Sequence, residues 1–149
     1  MKPETRRILL DADEQGQYET PKSFDTKAIE KRARAVHAEI VSAGYEAGFE
    51  DWVHNQDASF GLAITIDSFK ERTNGIVCVP TIRFSNFGNL ASLTWQDRVD
   101  DQFLTVAIAA LTSQRFTFIR EAELTEPYDG INAPDDAFPT WWVRYFDWL

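Results

Sequence analysis

The hydrophobic period changes once along this chain, and the change limits the folds open to it. From about Thr26 to Ala43, Ile29, Ala33, Val36 and Ile40 recur at three- and four-residue spacing, the stripe of one buried helix face. From Phe60 the period is two. Phe60, Leu62, Ile64 and Ile66 alternate with Gly61, Ala63, Thr65 and Asp67, as in a half-buried strand running to Asp67. Helices and consecutive strands in one chain of 149 residues, with no repeat or low-complexity linker, predict a single domain over 1–149. The expected class is α+β: two layers, with an antiparallel sheet of about four or five strands packed against two main helices.

Punctuation refines that frame. Ser23 or Asp25 can cap the first helix by accepting from first-turn N–H groups, and Gly44 is a natural stop. Thr73-Asn74-Gly75 signals a turn into a second strand from about Ile76 to Ser85. Pro80 cannot donate to a ladder, so that strand reads as an edge or a bulged one. Leu90 to Trp95 reads as a third strand, completing an antiparallel meander. Thr94 with Asp97 resembles a capping pair for a second helix from about Asp97 to Thr112. Asp100 and Asp101 suit the positive end of its dipole.

Arg115 to Arg120 reads as a strand, as does the short run Arg7 to Leu10. Asp11 to Gly16 then reads as a polar turn, and Gln17 to Thr20 as a returning strand. In the aromatic ending, Thr140, Arg144 and Asp147 are spaced four and three apart, so they form the polar face of a C-terminal helix entered through Pro139.

The motifs of common chemistries are missing from the sequence. It contains no glycine-rich phosphate cradle, no nucleophile elbow and no zinc-protease helix motif. The two histidines, His37 and His54, do not form a metal pair, and His37 beside Val36 and Ile40 reads as a boundary residue. Asp11 to Gly16 matches the opening of a calcium loop, but Lys22 stands where the bidentate Glu belongs, so a turn is preferred. Cys78, the single cysteine, lies in the β-branched run Ile76 to Val79 and reads as a small buried hydrophobe. Catalytic residues, metal ligands and cofactors are therefore all expected to be none.

Charge is the sharper signal. The net charge is -9. That argues against nucleic-acid and anionic-membrane partners, which need clustered Lys and Arg. Residues 101–149 hold eight acids against three bases. Six of those acids, Glu121, Glu123, Glu126, Asp129, Asp135 and Asp136, have no Lys or Arg between them. This turn-rich stretch runs directly into the aromatic ending. Two readings follow: a solvated loop leading to core aromatics, or an acidic surface for a basic protein partner, with Tyr128 and Trp141 as anchors.

In general character (small, acidic, one mixed domain, few motifs) the chain resembles bacterial toxin-immunity proteins. The resemblance implies a non-enzymatic inhibitor that neutralises a basic toxin or nuclease by protein contact. It transfers no binding residue. A pocket built from aromatics and carboxylates is the alternative, and a structural accessory protein, with a homodimer through the Pro80 strand, is another. The start, Met1 to Arg7, leads into an apolar stretch too short for a signal peptide, and no run is long enough for a membrane span, so the expected location is cytoplasmic.

Overall fold

In a computed structural model, residues 1–51, 61–133 and 138–146 are described. Among them the chain forms an α+β domain of five α-helices, a five-stranded sheet and a two-stranded hairpin. His54, Phe60, Asp135, Asp136, Asp147 and Trp148 lie outside the described residues. Among those that are described, no helix is long and apolar enough to cross a membrane.

The sheet follows the period-two signal. Strand β1 (Ala47–Asp51) pairs antiparallel with β2 (Leu62–Ile66), which pairs with β5 (Thr81–Phe84), which pairs with β6 (Leu90–Thr94). The expected strand from Ile76 to Ser85 is cut at Pro80. Its first part, β4 (Ile76–Cys78), leaves the sheet to pair with β3 (Glu71–Thr73). Asn74 and Gly75 both have positive φ, 52° and 78°, as the two-residue hairpin turn demands. Cys78 is half-buried near the end of this hairpin rather than a core residue, because the hairpin stands away from the main sheet.

The last strand, β7 (Thr117–Phe118), corrects the all-antiparallel expectation. It runs parallel to β6, with Leu90 opposite Thr117. Parallel neighbours need a crossover, and helix α3 (Asp101–Ser113) supplies it. This helix starts four residues later than Asp97. Asp100 is its cap, accepting from Phe103 N at 2.7 Å, while Thr94 Oγ1 bonds across to the Thr81 backbone. Helix α2 (Thr26–Ser42) matches the expected stripe, capped by Asp25. Val36 and Ile40 of α2, with Phe103 and Leu111 of α3, cover the sheet face made by Ile64 and Ile82.

The chain start is helical, not a strand: α1 spans Pro3–Ala12. Pro3 in its first turn and Glu4 beside it suit a helix start, and Thr5 and Leu9 are buried one turn apart. No strand forms at Gln17 to Thr20. A short helix, α4 (Glu121–Leu124), lies inside the acidic run, and α5 (Trp141–Phe146) forms where the aromatic ending predicts a helix. Leu9, Leu124, Trp141 and Tyr145 build a second core with Leu90, on the sheet face opposite α2 and α3. At this end α1, α4 and α5 thus add packing on the sheet's second face.

The second core is organised by one carboxylate. Asp13, just after α1, pairs with Arg144 of α5 at 2.8 Å, both side chains being 1% exposed or less. Its other oxygen accepts from the Tyr128 hydroxyl at 2.6 Å and Ile131 N at 3.0 Å. Gly130 must be glycine, since a Cβ there would run into Asp13 and the Tyr128 ring. Arg144 also donates to Gln17 O, and its guanidinium lies 4.3 Å over the Phe87 ring. The polar face expected for α5 is thus inverted at Arg144, which points inward because a buried carboxylate waits there. Asp13 likewise serves the fold, as the acceptor on which α1, α5 and the Tyr128–Asn132 loop meet.

Removing one partner of a buried pair leaves the other charge stranded. Asp13→Ala is expected to lower the unfolding free energy in urea by about 3–5 kcal/mol, against less than about 1 for Arg6→Ala at the surface. Equal costs for the two variants would contradict this account.

Candidate functional site

The acidic run lies against the chain's own first helix. Lys2 N donates to Glu123 Oε1 at 3.0 Å, the Met1 amino group pairs with Glu126, and Arg6 pairs with Asp129 at 2.6 Å. The cations missing between these acids in sequence are supplied by α1. Burial alone would push the Glu123 carboxyl up, but the Lys2 amide, the Thr5 hydroxyl and nearby positive charge outweigh it and hold it low. Asp129 is held low by its hydrogen bond from Arg6. The Trp141 indole N–H faces Asp129 without reaching hydrogen-bond geometry.

Both expected aromatic anchors are internal. Trp141 is fully buried, and Tyr128 packs edge-on against it with ring centroids 4.7 Å apart. The Tyr128 phenol is pushed up by burial and by its bond to Asp13, so it stays a donor. They are core residues because the second core needs two large rings between α4 and α5. Of the eight expected interface residues, Asp135 and Asp136 lie outside the described residues, and Tyr128 and Trp141 leave the surface. Glu123, Glu126 and Asp129 bind the N-terminal segment. Glu121 is different.

Glu121 belongs to a groove that the sequence reading does not anticipate. Along β1, β2, β5 and β6, every second residue turns away from α2 and α3, and most of these are small: Gly48, Ala63, Thr65, Thr81 and Thr94. Among the described residues, the second core covers only the Leu90 end of this face. The rest is the floor of a groove of about 460 Å³. Val77 and Val79 form one wall, Trp95 and Glu121 another, and Glu50 and Arg83 bring further charge. The sequence carries a signal for it in the small residues alternating with the strand's apolar ones, but small residues at such positions also suit a plain solvated face.

The groove rim is strained and braced. Trp95 has φ 56°, in the left-handed region that a bulky side chain adopts at a cost of roughly 1–3 kcal/mol. Its N–H donates to Glu121 Oε2 at 3.2 Å, and its carbonyl accepts from Arg98 N at 2.9 Å. Arg98 in turn pairs with Glu71 of the β3–β4 hairpin at 2.7 Å, tying one wall to the other. Despite this bracing the apolar rim faces water: Trp95 is 46% exposed and Val77 41%. Burial pushes the Glu121 carboxyl up and Asp97 adds to this, against the Trp95 N–H and Arg83, which draw it down.

Other groups are accounted for structurally. His37 Nε2 donates to Ala47 O at 2.8 Å, fixing α2 to the edge strand. Among the described residues no group of His, Cys, Asp or Glu is arranged to hold a metal ion. No family model matches the chain, and no curated protein or solved structure is similar to it.

Two outcomes follow from this geometry. Glycine at position 95 relieves the backbone strain, so Trp95→Gly is expected to keep or raise stability by up to about 1 kcal/mol. Trp141→Ala should lower it by about 3–5 kcal/mol, and a comparable loss at Trp95 would refute the strain argument. The depressed carboxyls of Glu123 and Asp129 add stability above their unfolded pKa values, and it is lost as pH falls through their folded ones. Amide exchange in α1 should therefore accelerate below about pH 4. The double variant Glu123→Gln, Asp129→Asn should flatten that dependence; an unchanged profile would refute the assignment.

Proposed function

We propose that this chain is a binding protein that acts by protein–protein contact and not by catalysis. In finer terms it is an inhibitor of the immunity type, which neutralises a basic toxin or nuclease in the cytoplasm. One observation carries this reading: the exposed Val77 and Trp95, beside carboxylates, on a chain of net charge -9. Exposed apolar residues grouped on one rim mark contact surfaces, and Trp is enriched among residues that dominate binding energy. Acidic surroundings favour a partner of opposite charge and speed its approach. Strain at an exposed Trp supports the same reading, because a residue that serves only stability has no reason to be held there.

The interface moves with this reading. Its centre is the hairpin and Trp95 rim, with Glu121 as the member shared with the acidic run. A second reading, a small-molecule binder, has one observation in its favour: the groove volume falls in the usual range for ligand pockets, roughly 300–1,000 Å³.

Affinity capture from the native host, with quantitative mass spectrometry, separates the two. The wild-type chain should enrich a basic protein, and Trp95→Gly should lose it while remaining folded. Raising the salt should weaken the complex. Equal enrichment by both chains, or no enriched basic protein, counts against the proposal.

A further inference from the structure

The groove has a chemical preference of its own, and its named parts define it. Its charged lining is two carboxylates, Glu50 and Glu121, against one cation, Arg83. The Arg83 Nη1 group is directed at the Phe146 carbonyl, 3.5 Å away at the end of α5, while its Nε is buried with no hydrogen-bond partner among the described residues. Glu121 spends one oxygen on the Trp95 N–H, and among the described residues its second oxygen has no hydrogen-bond donor. Glu50 has no ion-pair partner among the described residues. Partly buried carboxylates with unused acceptors, beside an indole face and two valines, suit one kind of guest: a cation on an apolar stem.

We infer that the groove receives an arginine side chain of a basic partner protein, stacked on Trp95 with its guanidinium on Glu121 and Glu50. This deepens the proposed function and rests on its reading of the partner as basic. Arginine fits better than lysine on three counts. Its planar head stacks on an indole. It offers a fork of donors to carboxylate oxygens, and it is less strongly hydrated, so entering a half-enclosed site costs less. Val77 and Val79 supply the surface for its methylene stem, as long cationic side chains prefer. The floor hydroxyls of Thr65 and Thr81 leave room above them that larger side chains would have filled.

The brace around the site gives the inference a positional logic. Glu121 fixes the Trp95 turn through its N–H and lines the same groove, so indole and carboxylate are set relative to one another before any guest arrives. The Arg98–Glu71 pair holds the valine wall against that turn. A site assembled in advance loses less freedom on binding.

The test uses the full-length chain and N-acetyl-arginine amide as probe, followed by the indole N–H and backbone resonances of Trp95 in ¹H–¹⁵N spectra. Saturable shifts with a Kd in the millimolar range are expected, with N-acetyl-lysine amide about threefold or more weaker. Trp95→Gly should abolish the shifts in the groove, and Glu50→Gln should weaken binding by about three- to tenfold while leaving the urea midpoint unchanged. No saturable shift, equal binding by Trp95→Gly, or tighter binding of N-acetyl-glutamate amide, would each overturn the inference. The last would mark Arg83 as the receptor for an anion instead. If the probe fails but capture of a basic protein still depends on Trp95, this inference falls and the proposed function stands. If the probe binds and no basic protein is captured, the proposed function falls and the groove's preference stands.

Discussion

The ion pair between Asp13 and Arg144 is the constraint on which the rest of this fold depends. It joins the end of α1 to α5 across nearly the whole sequence, with both side chains out of water. Desolvating two charges is costly, and most of the pair's other hydrogen-bonding positions are met, Arg144 Nη1 being the buried exception. Asp13 accepts from Tyr128 and Ile131 as well, and Arg144 donates to Gln17 and lies over Phe87. The Tyr145 hydroxyl donates to Leu9 O at 2.6 Å beside it, its phenol pushed far up by burial and by the Asp13 charge. A network satisfied on so many sides specifies one packing of α1, α5 and the loop between residues 128 and 132. Slipping any element by a turn would strand a charge.

That network decides which face of the sheet stays open. The helices α2 and α3 close one face completely with an aliphatic and aromatic core. On the other face, the second core is pinned over the Leu90 end by the Asp13–Arg144 network and, among the described residues, does not extend over β1 and β2. The uncovered positions carry small side chains, so the surface is concave instead of flat. The β3–β4 hairpin and the turn at Trp95 then raise walls at its sides. A stabilising feature outside the groove thus limits how far the sheet face is covered, and a strained residue at the groove's edge determines what it shows to solvent.

Much of the fold is legible in the sequence because it is carried by long periodic segments. The stripe from Ile29 to Ile40, the alternation from Leu62 to Ile66 and the Asn74-Gly75 turn each report the element that forms. The failures share a cause. Arg7 to Leu10 is too short for its period to be read, and only Thr5 and Leu9 together show a helix. β1 carries Gly48, Glu50 and Asp51 and has almost no strand propensity of its own; pairing with β2 makes it a strand. Arg144 looks like a polar face until its distant partner Asp13 is known. Local sequence places no cation near the acidic run, and α1 supplies the cations from more than a hundred residues away. Long-range pairing leaves no trace in a window. Of the expected interface residues that are described, Glu121 is the one that lines the groove, beside Trp95, which the sequence reads only as the end of a strand.

The central claim is that the chain meets its partner through the hairpin and Trp95 rim, and not through the acidic segment packed on α1. Hydrogen–deuterium exchange on the chain with and without its captured partner tests this most directly. The account predicts new protection at Ile76 to Val79 and at Trp95 to Arg98, with little change in α1 and residues 123–129. Protection confined to α1 and 123–129, with an unchanged hairpin, would contradict it.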